Sequence, residues 1–344
     1  MLAQLAWYVA LTVAATAVVW KGSTMLEGAS ERLSAYYGLP AVVQGAVVVA
    51  VGSSFPELSS TVISTVVHGE FNLGVSAIVG SAIFNLLVIP ALSGIFAEGV
   101  DADRTLVYKE AQFYMIAVSV IVITFALAVI YNPAGSVADG TRELTGIVTR
   151  PLAIIPVAFY GVYVFTQYQD TMDYDAATEA ASDADPLRDW GRLALSLVII
   201  AVAVEGLVRA ALGFGDFFGT SDFLWGLTIL AAGTSLPDTI VSVRAARADE
   251  GVTSLANVLG SNVFDLLVAV PAGVLVVGQA EIDFAVAVPM MGFLTLATVI
   301  VFGFLRTELE LSKAESWSLL GVYFLFIGWM ILETFDVTNA VPGA

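Results

Sequence analysis

Gly52-Ser53-Ser54-Phe55-Pro56-Glu57 and Gly233-Thr234-Ser235-Leu236-Pro237-Asp238 each set hydroxyls, a proline and a carboxylate inside a long apolar run. Within a bilayer, a helix-breaking proline and an ionisable side chain are both costly. Where they coincide, irregular backbone lines a polar cavity rather than lipid. The remainder of the chain has the character of a scaffold for these two stretches.

Of 344 residues, 58% are hydrophobic and only 13% are charged. Soluble domains carry about 25% charged residues, and a bilayer-spanning helix takes about 20 apolar ones. The composition therefore predicts an all-α membrane protein of about ten transmembrane helices, with no room for a large soluble domain. The expected spans are 3–26, 40–67, 73–96, 111–131, 151–168, 193–212, 223–246, 255–277, 284–305 and 317–332. The second and seventh are expected to be broken near Gly52 and Gly233. There is no cysteine, which excludes disulfides, thiol catalysis and cysteine-ligated metals. The formal net charge of −18 argues against a nucleic-acid partner. No protein partner is evident, and the expected surroundings are the lipid bilayer of the cell membrane.

The two halves repeat each other. Glu57 and Asp238 correspond at an offset of 181 residues, as do Gly45 with Gly226, Ser54 with Ser235 and Pro56 with Pro237. Gly80-Ser81-Ala82-Ile83-Phe84-Asn85 matches Gly260-Ser261-Asn262-Val263-Phe264-Asp265 at an offset of 180. Five spans per copy is an odd number, so the second copy is expected to enter the membrane inverted. The expected division is a first five-helix repeat over 1–169, an acidic linker over 170–189 and a second, inverted repeat over 190–344. With the N-terminus outside, nine bases fall in cytoplasmic loops and only Arg142, Arg150 and Arg209 in outer ones. This predicts that both termini are outside.

Glu57 and Asn85 lie 28 residues apart, and Asp238 and Asp265 lie 27 apart. Either interval is one hairpin down and back, so all four groups are expected at mid-membrane. A carboxylate there costs about 2.5–3.5 kcal/mol, and three of them call for cations. Calcium takes about six to eight oxygen ligands. Glu57 and Asp238 offer carboxylates, and Ser53, Ser54, Ser81, Thr234, Ser235 and Ser261 offer hydroxyls. Each proline also strips a hydrogen bond from a carbonyl about one turn earlier, around 50–53 and 231–234. With neither thiol nor imidazole in these stretches, hard cations are favoured over zinc or copper.

These paired motifs resemble those of the sodium/calcium exchanger family, within the cation/calcium exchanger superfamily, and the ten-span layout extends the resemblance over nearly the whole chain. The resemblance implies a secondary antiporter rather than an enzyme. It would work by alternating access, with sodium entering as calcium leaves. Glu57 and Asp238 would hold calcium. The carbonyls of Ala50 and Ala231, with Ser53, Ser54, Ser81, Thr234, Ser235 and Ser261, would serve sodium. Asn85 and Asp265 would line the middle of the site. No resident cofactor is implied; Ca2+ and Na+ are the transported ions. Asp238 stands where many members have Glu, and Pro237-Asp238 followed by Ser261-Asn262-Val263-Phe264-Asp265 looks like the potassium-dependent branch. Potassium is therefore a further possible ion, and a proton-coupled calcium exchanger is a second alternative. A remote alternative is an intramembrane aspartyl protease using Asp238 and Asp265 as its acid pair, a reading that gives the first repeat no role.

Other polar residues have structural readings. Lys21 and Glu205 are expected to pair between the first and sixth spans, and His68 is expected at a loop end without a ligand role. The linker acids Asp170, Asp173 and Asp175 lack the glycine and terminal Glu of an EF-hand and read as a solvated charge run.

Overall fold

The structure, a computed structural model, describes residues 2–37, 50–104, 106–134, 144–171, 185–334 and 337–338. Residues 40–49 of the second span, Gly45 among them, lie outside the described residues, as do Arg142 and most of the acidic linker. The described residues form ten helical segments. They are α1 (Leu2–Tyr37), α2 in two pieces (Ala50–Ser53 and Phe55–Val66), α3 (Phe71–Ala97), α4 (Leu106–Tyr131) and α5 (Arg150–Thr171). Then follow α6 (Pro186–Phe218), α7 (Asp222–Arg247), α8 (Gly251–Val277), α9 (Phe284–Arg306) and α10 (Lys313–Thr334). All except α2 are long and apolar enough to cross a membrane.

Local chemistry sets several of the boundaries. Asp185 caps α6 by accepting from the Arg188 amide at 3.3 Å, with Pro186 in the first turn, where its missing N–H costs nothing. Gly219, at φ 65°, ends the same helix in the left-handed conformation that glycine tolerates. Asp283 caps α9 through the Ala285 and Val286 amides.

α3 is the buried axis of the molecule, enclosed by α2, α7, α8, α9 and α10. α1 and α6 pack along each other and across α2 and α7. At 36 and 33 residues they reach about 50 Å, well beyond a hydrocarbon core of about 30 Å, so both tilt or extend past it. Large apolar side chains such as Trp7, Ile123, Phe159, Val202, Leu296 and Phe324 are left on the outside, where lipid would cover them.

Four short strands join the connectors. β1 (Val100–Asp101) pairs antiparallel with β4 (Glu310–Leu311), and β2 (Thr145–Thr149) with β3 (Gln279–Asp283), Thr145 facing Asp283 and Thr149 facing Gln279. If every helix crosses the membrane, connectors α3–α4 and α9–α10 emerge on one face and α4–α5 and α8–α9 on the other. Both pairings obey that rule.

The helices depart from expectation at the prolines. α2 is interrupted at Ser54, which has the bridge-region values φ −88° and ψ 9°. α7 is not interrupted at Gly233: its α-helix runs from Ala231 to Arg247 with Pro237 inside it. The irregularity lies earlier, as a π-helical turn over Gly226–Leu230, and α8 carries another over Asp265–Ala269. A π turn inserts one residue without opening the helix, and further along α7 Pro237 leaves the Gly233 carbonyl without its amide donor.

The expected Lys21–Glu205 pair is absent. Glu205 is bound by His68 Nε2 at 2.9 Å and by Arg209 Nε at 2.5 Å, so His68, at its loop end, is a hydrogen-bond partner of Glu205. The cause is helix phase. Gly22 is the residue that presses on α6, where an added Cβ would come 2.7 Å from Ile200, and Lys21, about 100° around α1, is exposed.

α3 and α7 meet backbone to backbone. A Cβ on Gly80 would lie 2.2 Å from the Leu227 carbonyl oxygen, and one on Gly226 would lie 2.8 Å from that of Leu73. Gly80→Ala should therefore destabilise the purified protein by about 1–3 kcal/mol. It should melt clearly below wild type in detergent, whereas Gly161→Ala, with nothing within 4 Å of the new methyl, should not. Equal melting of Gly80→Ala and wild type would contradict the contact.

Candidate cation site

The candidate residues come from four helices that meet at the buried centre: Glu57 from α2, Ser81 and Asn85 from α3, Thr234, Ser235 and Asp238 from α7, and Ser261 and Asp265 from α8. All are buried, with Glu57 and Asp238 each 1% exposed and Asp265 fully enclosed. Ser53 and Ser54, at the interruption of α2, are buried as well.

Hydroxyls and amides link the helices. The Ser235 hydroxyl donates to Glu57 Oε1 at 3.4 Å and lies 2.7 Å from that of Ser81, tying α2, α7 and α3 together. Asn85 Nδ2 donates to Asn262 Oδ1 at 2.9 Å, and Asn262 Nδ2 to the Ala82 carbonyl at 3.3 Å, tying α3 to α8. Ser261 lies beside Asp238 and Ser54 beside Asp265, and the charge of Glu57 reaches both aspartates. Thr234 lies beside Glu57 but donates to the carbonyls of Leu230 and Ala231, each at 3.1 Å. The Ala231 carbonyl is thereby already engaged. Ala50 is the first described residue of α2.

The network leaves its most polar atoms unanswered. Ser54 Oγ, Glu57 Oε2, Asn85 Oδ1 and both carboxylate oxygens of Asp238 and Asp265 are buried without a hydrogen-bond partner. A buried polar atom left unpaired costs about 1–3 kcal/mol, and more when charged. Natural interiors rarely keep one without a reason, and here seven share one centre. All are oxygens, which suits a hard cation. Among the described residues no three Asp, Glu or His side chains converge closely enough to hold a metal alone. An ion here would need the hydroxyls and carbonyls as well as the carboxylates.

Two neighbours were not singled out from sequence. Asn262 is fully buried and bridges α3 and α8. Tyr114, on α4, is fully buried beside Asn262, Thr298 and Asp265, and its hydroxyl is unpartnered. Asn262 stands in the repeated motif opposite Ala82, a substitution within a repeat that could have flagged it. Nothing in the sequence distinguishes Tyr114 from other tyrosines in spans.

A bundle of membrane helices with unpaired carboxylates at its centre defines an ion-handling membrane protein. The chain belongs to the sodium/calcium exchanger protein family, whose pattern matches residues 7–169 and 189–332. It is a multi-pass membrane protein of an antiporter family, not an enzyme family, which removes the protease reading of Asp238 and Asp265. It is 27% identical over 275 residues to the inner membrane protein YrbG of Escherichia coli, a match covering 80% of this chain and 81% of that protein. It is 34% identical over 139 residues to human sodium/potassium/calcium exchanger 2, covering 38% of this chain and 21% of that one. Its fold is similar to the solved structure of the sodium-calcium exchanger NCX_Mj, with a TM-score of 0.59 at 20% identity over 94% of this chain and 98% of that one.

If the unpaired oxygens await a cation, calcium should stabilise the folded protein. At one hundred times its dissociation constant the gain would be about 2.7 kcal/mol, seen as a rise in melting temperature. Asp238→Asn should abolish the rise, whereas magnesium, smaller and slow to shed its water, should reproduce it poorly. An equal rise for Asp238→Asn would place the calcium elsewhere.

Proposed function

We propose that this chain exchanges sodium for calcium across the cell membrane by alternating access. The observation that carries the reading is the set of unpaired carboxylates at the junction of α2, α7 and α8. Glu57 and Asp238 together supply two negative charges, which one calcium ion neutralises. Sodium ions can occupy the same oxygens in turn, with Ser53, Ser54, Ser81, Thr234, Ser235, Ser261 and the carbonyls of Ala50 and Ala231 completing their shells. Asn85 and Asp265 line the middle. A site that must be neutralised before it can be re-oriented couples the two ions, because crossing empty would drag bare carboxylates through a dry core.

The two halves, 1–169 and 190–344, act as inverted repeats around that site, joined by the acidic linker 170–189, with both termini outside. The connectors support this arrangement. Exchanging the halves turns the α3–α4 connector into α8–α9 and α9–α10 into α4–α5, so the β1–β4 ribbon takes the place of the β3–β2 ribbon. The exchange also relates α1 to α6, which pack on each other.

A potassium requirement is the second reading, favoured by Pro237-Asp238 and by the similarity to human sodium/potassium/calcium exchanger 2. Proton coupling is a third, since an unpaired buried carboxylate can take a proton in place of sodium. One flux assay separates them. Inside-out vesicles loaded with sodium should accumulate labelled calcium on dilution into sodium-free buffer. Glu57→Gln and Asp238→Asn should each abolish uptake without loss of folded protein. Uptake that appears only with potassium establishes the second reading. Uptake that follows a pH gradient and ignores sodium overturns the first in favour of the third.

A further inference from the structure

Four polar residues share one face of α1: Ser23, Glu27, Ser30 and Ser34, spaced four, three and four residues apart. The three serines are buried, and among the described residues the hydroxyls of Ser23 and Ser34 have no hydrogen-bond partner. This is unusual within a helix, where a hydroxyl ordinarily donates to a carbonyl one turn back. Thr12 and Thr24, on the same helix, do so at 2.9 and 3.0 Å.

Glu27 is half-buried between the two orphan hydroxyls, and no base answers it among the described residues. Arg32, the nearest in sequence, is held by Asp189 at 2.8 Å. Glu31, exposed one turn toward the Tyr37 end, is a second acid on the same helix, and α1 packs along α7, the helix that carries Asp238. The stripe also runs beside the interrupted helix, since a Cβ on Gly52 would lie 3.9 Å from Ser30 Oγ. A stripe of serines alone would suit close helix packing. Buried orphan hydroxyls around a carboxylate that no described base answers, on a stripe that runs beside the interrupted α2, do more than packing requires.

We propose that Glu27 is a fourth carboxylate of the ion path. With Ser23, Ser30 and Ser34 it forms an oxygen-lined track for hard cations from the Tyr37 end of α1 to Asp238. This rests on the antiporter reading and assigns one face of the exchanger its loading residue. Its donors are carboxylate and hydroxyl only, which selects calcium or sodium over softer ions. A fixed negative charge at such an entrance concentrates divalent cations more than monovalent ones, so calcium should feel its loss most.

The test is calcium uptake against calcium concentration in vesicles of each orientation. Glu27→Gln should raise the apparent KM about threefold to tenfold on one face only, the low end of what a focused field provides. That face is the cytoplasmic one in the orientation proposed above. Turnover at saturating calcium should stay within about twofold of wild type, and high ionic strength should shrink the KM difference. Glu27→Asp should restore most of the wild-type KM. Should Glu27→Gln fail to fold, Glu27→Ser, which also removes the charge, carries the same one-sided test. An unchanged KM on both faces, or an equal rise on both, overturns the proposal while wild-type exchange leaves the antiporter reading standing. Absence of sodium-driven uptake in wild type overturns that reading, and the ion track with it.

Discussion

Everything in this structure bends around the cost of keeping Glu57, Asp238 and Asp265 in a dry core. Each acid at mid-membrane costs about 2.5–3.5 kcal/mol on insertion scales, and their mutual repulsion adds to it. Ordinary proteins would cancel that cost with an arginine or lysine. Among the described residues no base is hydrogen-bonded to any of them, and both aspartates keep two unpaired oxygens. Apart from Ser235, which donates to Glu57 Oε1, the nearby hydroxyls and amides spend their bonds on one another and on backbone, as Asn85 does with Asn262 and Thr234 with the Leu230 and Ala231 carbonyls. Among the described residues the result is a preorganised set of buried acceptors, an arrangement that suits a cation.

Geometry around the centre fits that demand. α3 and α7 touch at Gly80 and Gly226, which draws the hydroxyls of Ser81 and Ser235 into contact. α1 and α6 lie as a pair across α2 and α7, and Gly233 meets both, its added Cβ falling 3.0 Å from Thr16 and from Leu207. The polar stripe of Ser23, Glu27, Ser30 and Ser34 belongs to that pair of helices.

Much of this was legible in the sequence because the expensive residues are duplicated. Two copies of a hydroxyl–proline–carboxylate motif at one offset have no cheap explanation in apolar spans, and they pointed to the four helices that form the centre. Helix geometry was less legible. The same proline coincides with an interruption at Ser54 in α2 yet lies inside a continuous α-helix in α7, which has a π turn at Gly226–Leu230. No local pattern in the two motifs separates the two outcomes. Lys21 and Glu205 matched in sequence but not in helix phase, and His68 became the partner of Glu205 because a connector folds back on α6. Tyr114 and Asn262 reached the centre through packing between helices far apart in the chain.

The most direct measurement is an anomalous difference map from crystals of the protein grown with calcium. The account predicts a peak between the Glu57 and Asp238 side chains, within about 2.3–2.6 Å of carboxylate and backbone or hydroxyl oxygens from α2, α7 and their neighbours. A calcium peak at the acidic surface only, with Glu57 and Asp238 still unpaired at the centre, would contradict it.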